Sequence, residues 1–251
     1  MERVSIFGVK IFNINLQDTT KLLNAYLKGD KLNKIYTPNT EIVMAAKNDS
    51  QIKEILNRGD LLIPDGIGLV YGSRIKGKPL KERVTGYDIS IKLLETANQN
   101  KYSLFLLGGE VGIAKMAAEK ISKEYPNIEI LGYHHGYFKG SHLGIQDSRE
   151  ENEIIHEINM KNPDIIFVGL GFPRQEIWID RNAHRLNARI AIGNGGVMDI
   201  LASKSKRAPE IYQKLGLEWL YRLLKEPSRI KRQLAIPKFI FNIIFNKDVV
   251  K

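Results

Sequence analysis

Asp65 is the first residue whose type and position could serve catalysis. It stands near the end of Leu61-Leu-Ile-Pro-Asp-Gly66, where an apolar run gives way to a carboxylate and a glycine. A carboxylate at the end of a buried strand is partly desolvated, which raises its pKa toward the range of a general base. The same spacing fits an aspartate that caps the following helix, and spacing alone favours that structural role. Asp65 is therefore a candidate base with a structural alternative.

Gly108 and Gly109 form a turn that could approach a phosphate. They follow the apolar run 104–107 and precede a helical pattern. Such a turn lets backbone N–H groups reach an anion near the positive end of a helix. The glycines do not complete a G-x-G-x-x-G fingerprint, so the signal is weak, and spacing alone favours an ordinary tight βα turn.

A second glycine-rich turn contains Gly193, Gly195 and Gly196, with Asp199 a few residues later. The glycines follow a short apolar run, and the carboxylate could accept hydrogen bonds from the hydroxyls of a ribose. This pattern indicates the edge of a nucleotide site. The structural alternative is close helix packing, with Asp199 as a solvated charge in the first turn.

The segment Gly169-Leu-Gly-Phe-Pro173 leads into Arg174, Gln175 and Glu176. Arg174 and Gln175 at a helix start could offer a ligand a charge and an amide. The structural alternative is an ordinary turn at the start of a helix, in which the negative charge of Glu176 complements the helix dipole.

Asp-x-Asp, the arrangement that would hold a divalent metal on a nucleotide diphosphate, is absent from the sequence. If the substrate carries a diphosphate, arginines and helix N-termini must balance its charge. Arg222, Arg229 and Arg232 are the available donors in the C-terminal part of the chain. We therefore expect no metal and no cofactor.

The positive charge is concentrated at the C-terminus. Residues 204–251 contain twelve lysines and arginines and four acidic residues, and so carry +8 of the formal net charge of +10. Aromatic residues interleave with these charges, which favours an anionic membrane surface as the partner. A nucleic-acid-binding protein is the alternative from another class, although no nucleic-acid motif is present.

Several observations favour a cytoplasmic protein at the inner face of the membrane. The chain has no cysteine, its N-terminus has no signal-peptide core, and no run approaches the roughly 20 apolar residues that span a bilayer. The longest apolar run, Phe239–Phe245, is interrupted by Asn242.

The elements that must position these residues alternate between short apolar runs and amphipathic segments. This rhythm predicts an α/β fold with an open, mostly parallel Rossmann-like sheet and helices on both faces. Ligands then bind beyond the carboxyl ends of the strands. The predicted strands are Lys34–Tyr36, Leu61–Ile63, Ser103–Leu107, Ile128–Leu131, Ile165–Val168 and Ile190–Ile192. The predicted helices are Asp18–Leu27, Tyr87–Ala97, Gly112–Glu124, Glu151–Met160 and Arg174–Leu186.

The rhythm stops after Ser203. We expect residues 1–203 to be an α/β catalytic domain that folds alone. Residues 204–251 are expected to be a basic helical appendage that covers the active site as a lid and contacts the membrane.

Taken together, the motifs resemble the WecG/TagA/CpsF family of glycosyltransferases, and within it most closely the TagA branch. The resemblance runs from the start of the chain to about Arg232. It rests on Thr37-Pro-Asn39, Pro64-Asp65-Gly66, Arg83-Val-Thr-Gly86, Gly169-x-Gly-x-Pro-x-Gln175-Glu176, Gly193-x-Gly-Gly, Asp199 and Lys206-Arg207-Ala-Pro209. It implies inverting, metal-independent transfer of N-acetylmannosamine from its UDP donor to undecaprenyl-diphosphate-linked N-acetylglucosamine, in the linkage unit of wall teichoic acid.

The resemblance also implies roles for individual residues. Asp65 would deprotonate the acceptor hydroxyl. Thr37, Asn39 and Gln175 would hold the sugars, and Arg83 would lie in the same pocket.

The same resemblance implies that the turn Gly193–Gly196 and Asp199 would bind UDP. Arg222, Arg229 and Arg232 would close over the diphosphate. Residues 141–148 depart from the family pattern as an insertion.

Other readings remain open. Relatives that use other UDP-sugars share these motifs, so the sequence does not fix the donor, and it leaves homo-oligomerisation undecided. A Rossmann-type NAD enzyme is a further rival, against which the incomplete fingerprint at Gly108 argues.

Overall fold

The structure is a computed structural model that describes residues 1–246 and 249–251. Its centre is a parallel six-stranded sheet with the strand order β4-β3-β8-β7-β5-β6. These strands are β3 (Asn33–Tyr36), β4 (Leu61–Leu62), β5 (Ser103–Gly108), β6 (Glu129–His134), β7 (Ile165–Gly169) and β8 (Ile190–Gly193). The prediction of an α/β fold with an open parallel sheet is confirmed. Each predicted strand is present, and β6 deviates most because it continues to His134.

Buried, uniformly apolar strands explain why the sheet lies at the centre of the molecule. Every residue of β5, β7 and β8 is buried. A parallel sheet needs helices on both faces, and its strands therefore lack polar alternation. The helices in the first half are α1 (Leu16–Leu27), α2 (Thr40–Asn48), α3 (Ser50–Asn57), α4 (Ile67–Ile75), α5 (Gly86–Asn100) and α6 (Ile113–Glu124). In the second half they are α7 (Arg149–Lys161), α8 (Arg174–Asn182), α9 (Gly195–Leu201), α10 (Glu210–Lys214), α11 (Glu218–Lys225), α12 (Ile230–Gln233) and α13 (Ala235–Phe245).

Helices α2 and α3 of the α/β part were not predicted, and α4 and α9 were expected only as the helices that follow Asp65 and the second glycine-rich turn. Helices α2 and α3 meet at Asp49, which ends the first and caps the second by accepting hydrogen bonds from Gln51 N and Ile52 N. Helix α8 ends at Asn182, four residues before the predicted end.

The two chain ends form a small separate sheet. Strands β1 (Arg3–Ile6) and β2 (Val9–Phe12) make an antiparallel hairpin. Ser5 N donates to Lys251 O at 2.8 Å, and Lys251 N donates to Ser5 O at 2.9 Å. The last residues of the chain therefore pair with its first strand.

The C-terminal segment shares the hydrophobic core. Phe239 and Ile243 of α13 are each 1% exposed and belong to the same buried cluster as the central strands. A Cβ on Gly72 of α4 would lie 2.9 Å from the Phe239 ring, so α13 packs directly on α4. Removing residues 204–251 would open the core at these positions. The expectation that residues 1–203 fold alone took account only of the strands and missed this packing.

Residues 141–148, the insertion relative to the family pattern, begin with the buried residues Ser141 and His142. Ser141 N and Oγ donate to the buried carboxylate of Glu151, and Asn182 Nδ2 donates to Ser141 Oγ at 3.1 Å. These hydrogen bonds attach the loop to α7 and α8.

Candidate active site

A cavity of about 460 Å³ opens at the carboxyl ends of the central strands. Its volume falls within the range typical of small-molecule sites. The predicted site residues that border it are Thr37, Asn39, Asp65, Arg83, Gly109, Gln175, Gly193, Gly195, Gly196, Asp199, Arg222 and Arg232. Residues separated by up to 195 positions in the chain thus come together in one place.

Asp65 lies in this cavity between β4 and α4. Its N–H donates to Pro38 O at 3.0 Å, and its Oδ1 accepts from Gly86 N at 3.4 Å. The N-cap of α4 is Gly66, without a side-chain cap, so Asp65 does not have the capping role that spacing favoured. Desolvation raises the pKa of the Asp65 carboxyl, and the positive charges of Arg83 and Arg222 oppose this effect. The carboxylate therefore has the environment of a general base.

Arg83 forms the wall beside Asp65. Its Nε donates to the main-chain oxygen of Asp65 at 2.8 Å, and its Nη2 bonds to Glu218 of α11. Thr85 caps α5 by accepting from Asp88 N, which fixes the segment that carries Arg83.

Thr37 and Asn39 lie at the end of β3. Asn39 caps α2, because its Oδ1 accepts from Ile42 N at 3.0 Å. The Thr37 side chain packs against Gly86, where an added Cβ would lie 3.3 Å from it. Both residues border the cavity on the side of Asp65.

Gln175 supports the second glycine turn. Its Oε1 accepts from Gly195 N at 3.0 Å, and its Nε2 donates to Glu176 Oε1 at 2.9 Å. A Cβ on Gly193 would lie 2.6 Å from the Gln175 amide, so the turn and the side chain are in direct contact. Gln175 is 5% exposed and has a structural function in addition to any contact with substrate.

The first glycine-rich turn, which contains Gly108 and Gly109, contains glycine because two strands pack closely there. Gly108 has a φ of +141°, and a Cβ there would lie 2.4 Å from the backbone of Gly169 on β7. Gly109 N donates to Gly169 O at 3.0 Å. Gly109 borders the cavity, whereas Gly108 serves the close approach of the two strands.

Asp199 borders the cavity from α9. Its main-chain oxygen accepts from Lys204 N at 2.9 Å, and the Lys204 ammonium pairs with Glu110 at 2.9 Å. Lys204 and Glu110 also border the cavity and were not identified from the sequence.

Arg222 and Arg232 bring positive charge from the C-terminal segment. A Cβ on Gly196 would lie 3.4 Å from Arg222 Nη1, so the guanidinium lies over the second glycine turn. Arg232 Nε donates to Glu41 at 2.7 Å. The side chain of Arg229 lies outside the described part of the molecule, and its expected role stays a prediction.

Within residues 1–246 and 249–251, no group of three or more His, Asp or Glu side chains has an arrangement that could hold a metal ion. Metal independence stays a prediction, to be tested by chelation.

The fold and the site define an α/β enzyme whose polar cavity combines a desolvated carboxylate with arginines. A desolvated carboxylate and arginines in one cavity are suited to the transfer of a group to or from an anionic substrate. The sequence profile of the glycosyl transferase WecG/TagA/CpsF family matches residues 4–249. The chain therefore belongs to this family of glycosyltransferases.

Its relatives include proteins named N-acetylglucosaminyldiphosphoundecaprenol N-acetyl-beta-D-mannosaminyltransferase. The Bacillus subtilis (strain 168) protein is 36% identical over 97% of this chain and 92% of its own length. The Bacillus spizizenii protein is 36% identical over 89% of this chain and 83% of its own length. The protein from Staphylococcus aureus strain MRSA252 is 32% identical over 99% of this chain and 95% of its own length.

Proposed function

We propose that this protein transfers N-acetylmannosamine from UDP-N-acetylmannosamine to N-acetylglucosamine linked through a diphosphate to undecaprenol. The observation that supports this most strongly is the position of Asp65, a carboxylate with a raised pKa in a cavity that also contains Arg83 and Arg222. The names of the relatives supply the sugar and the acceptor.

Asp65 acts as the general base in this mechanism. Its carboxylate accepts the proton of the acceptor hydroxyl while that oxygen forms a bond to the anomeric carbon of the donor sugar. The bond between the anomeric carbon and the diphosphate oxygen breaks at the same time, and UDP leaves with the electron pair. An in-line displacement of this kind inverts the anomeric configuration.

Arginines stabilise the departing diphosphate. Arg222 lies over the glycine turn at Gly196, and Arg232 approaches from α12. Guanidinium groups form strong charge-assisted hydrogen bonds to phosphate oxygens. The turn at Gly193–Gly196 and Asp199 bind the nucleotide in this proposal, and Thr37 and Asn39 bind the sugars beside Asp65.

The acceptor brings the enzyme to an anionic membrane surface. Phe241 and Phe245 of α13 are 61% and 67% exposed, and Tyr71 and Ile75 of α4, the helix on which α13 packs, are exposed as well. The exposed Lys238 adds positive charge to this membrane patch, which consists of α13 and the neighbouring face of α4. A basic and apolar surface of this kind binds anionic bilayers from one side. No described helix has the length and apolarity needed to cross a membrane.

A panel of UDP-sugars tests the donor. UDP-N-acetylmannosamine should raise the melting temperature and give a disaccharide product with a short-chain diphosphate-linked N-acetylglucosamine acceptor. UDP-N-acetylglucosamine and NAD serve as controls. Turnover with a different UDP-sugar alone would keep the family and reject the proposed donor. Stabilisation by NAD and not by UDP would reject the whole proposal.

A further inference from the structure

Glu218 lies where the C-terminal segment meets the wall of the cavity. It is the first residue of α11, and its side chain is only 10% exposed. One carboxylate oxygen accepts from Arg83 Nη2, and the other lies 3.4 Å from Arg207 Nε. The carboxylate thus has one arginine partner from the α/β part and one from the C-terminal segment.

Arg207 in turn is attached to the α/β part. Its Nη2 lies 2.8 Å from Asp88 Oδ1, and its guanidinium carbon lies 4.4 Å from the centre of the Tyr87 ring. Asp88 Oδ2 accepts from Thr85 Oγ1 at 2.6 Å. Two cationic partners compensate the charge of this buried carboxylate, whereas loss of one partner leaves part of that charge uncompensated.

The turn before α11 is fixed as well. Gly216 has a φ of +70°, and a Cβ there would lie 2.8 Å from the side chain of Ile67 at the start of α4. Glu218 and Arg222 are four residues apart on the same helix, so they lie on the same face. A fixed Glu218 therefore fixes the position from which Arg222 reaches Gly196.

We propose that Glu218 is a positioning residue: it docks α11 between Arg83 and Arg207 and thereby places Arg222 beside Asp65 and the second glycine turn. The same carboxylate orients Arg83, whose Nε donates to Asp65 O. One ionic contact thus couples closure of the cavity to the geometry around the base. The catalytic part of this inference rests on the proposed function, because it uses the role of Arg222 at the diphosphate.

Amide hydrogen exchange tests the docking without any substrate. Glu218→Gln preserves the size of the side chain and removes its charge, and Glu210→Gln changes an exposed glutamate of α10 as the matched control. Exchange in α11 should become about tenfold faster or more in Glu218→Gln, while β5 and the Glu210→Gln protein match the wild type. Wild-type exchange in α11 of a folded Glu218→Gln protein would overturn the proposal. If Glu218→Gln folds poorly, Arg207→Gln removes the second partner and should have the same effect.

A double-mutant cycle on kcat distinguishes positioning from general stability. Arg222→Ala should lower kcat by about 10²-fold and Glu218→Gln by about tenfold. Because Glu218 acts through Arg222 as well as through Arg83, the double variant should be much less than tenfold slower than Arg222→Ala alone. Multiplied losses, about 10³-fold in total, would contradict this coupling. If the wild type does not use UDP-N-acetylmannosamine, the proposed donor fails and hydrogen exchange alone decides the docking.

Discussion

Glu176 should make the stability of this protein depend on pH. Its side chain is buried at the start of α8, and Oε1 accepts from Gln175 Nε2 while Oε2 has no partner among the described residues. Desolvation raises the pKa of this carboxyl from 4.5 to about 7, although the hydrogen bond from Gln175 acts in the opposite direction. The folded protein therefore holds a proton that the unfolded chain releases near pH 4.5.

The size and the sign of the effect follow from this difference. A raised carboxyl pKa means that the contribution to stability is complete below pH 4.5 and is lost as the pH rises through about 7. At about 1.4 kcal/mol for each pH unit, the interval from 4.5 to about 7 corresponds to about 3 kcal/mol. The Glu176→Gln protein has no carboxyl proton to release at this position, so its free energy of unfolding lacks this pH-dependent contribution.

Urea unfolding at pH 5 and pH 8 measures the effect. Between these values the wild type should lose about 2 to 3 kcal/mol of unfolding free energy relative to Glu176→Gln. Other titrating groups cancel in this comparison. The exposed Glu129 provides the matched control, and Glu129→Gln should follow the wild type at both pH values. An equal stability difference between wild type and Glu176→Gln at pH 5 and pH 8 would refute the reasoning.

Two further predictions concern the metal and the membrane. Activity should survive EDTA because arginines balance the diphosphate charge; loss on chelation with recovery on adding Mg²⁺ or Mn²⁺ would show that a metal takes part. Replacing both Phe241 and Phe245 by Ser should weaken binding to anionic vesicles by about tenfold or more through lost apolar insertion. The exposed Met160, outside the membrane patch, gives the control variant Met160→Ser, and equal vesicle binding by both variants would refute the role of the patch.

The sequence predicted the central sheet because its strands are short apolar runs without polar alternation, as expected of parallel strands that helices cover on both faces. The predicted ends of the helices were less accurate, because capping residues determine where a helix begins and ends. Asn15, for example, accepts from Asp18 N and starts α1 two residues before the predicted start. Helices α2 and α3 were missed because each is short and Asp49 interrupts the apolar period.

The cavity residues were predictable where they follow strands, since the ends of parallel strands meet at one edge of the sheet. Contacts between distant segments were not. Glu218 reads in the sequence as an exposed charge in a basic tail, yet it bonds to Arg83 across 135 positions of the chain. The burial of Phe239 likewise depends on Gly72, which leaves space for the ring.

The most direct test of the central claim is the turnover of Asp65→Asn with UDP-N-acetylmannosamine and a soluble diphosphate-linked N-acetylglucosamine acceptor. The amide cannot accept the proton of the acceptor hydroxyl, so kcat should fall by about 10²-fold or more, while melting temperature and UDP binding stay near wild-type values. Asp30→Asn, at an exposed position, should retain full activity. Wild-type turnover by a folded Asp65→Asn protein would contradict the assignment of Asp65 as the general base.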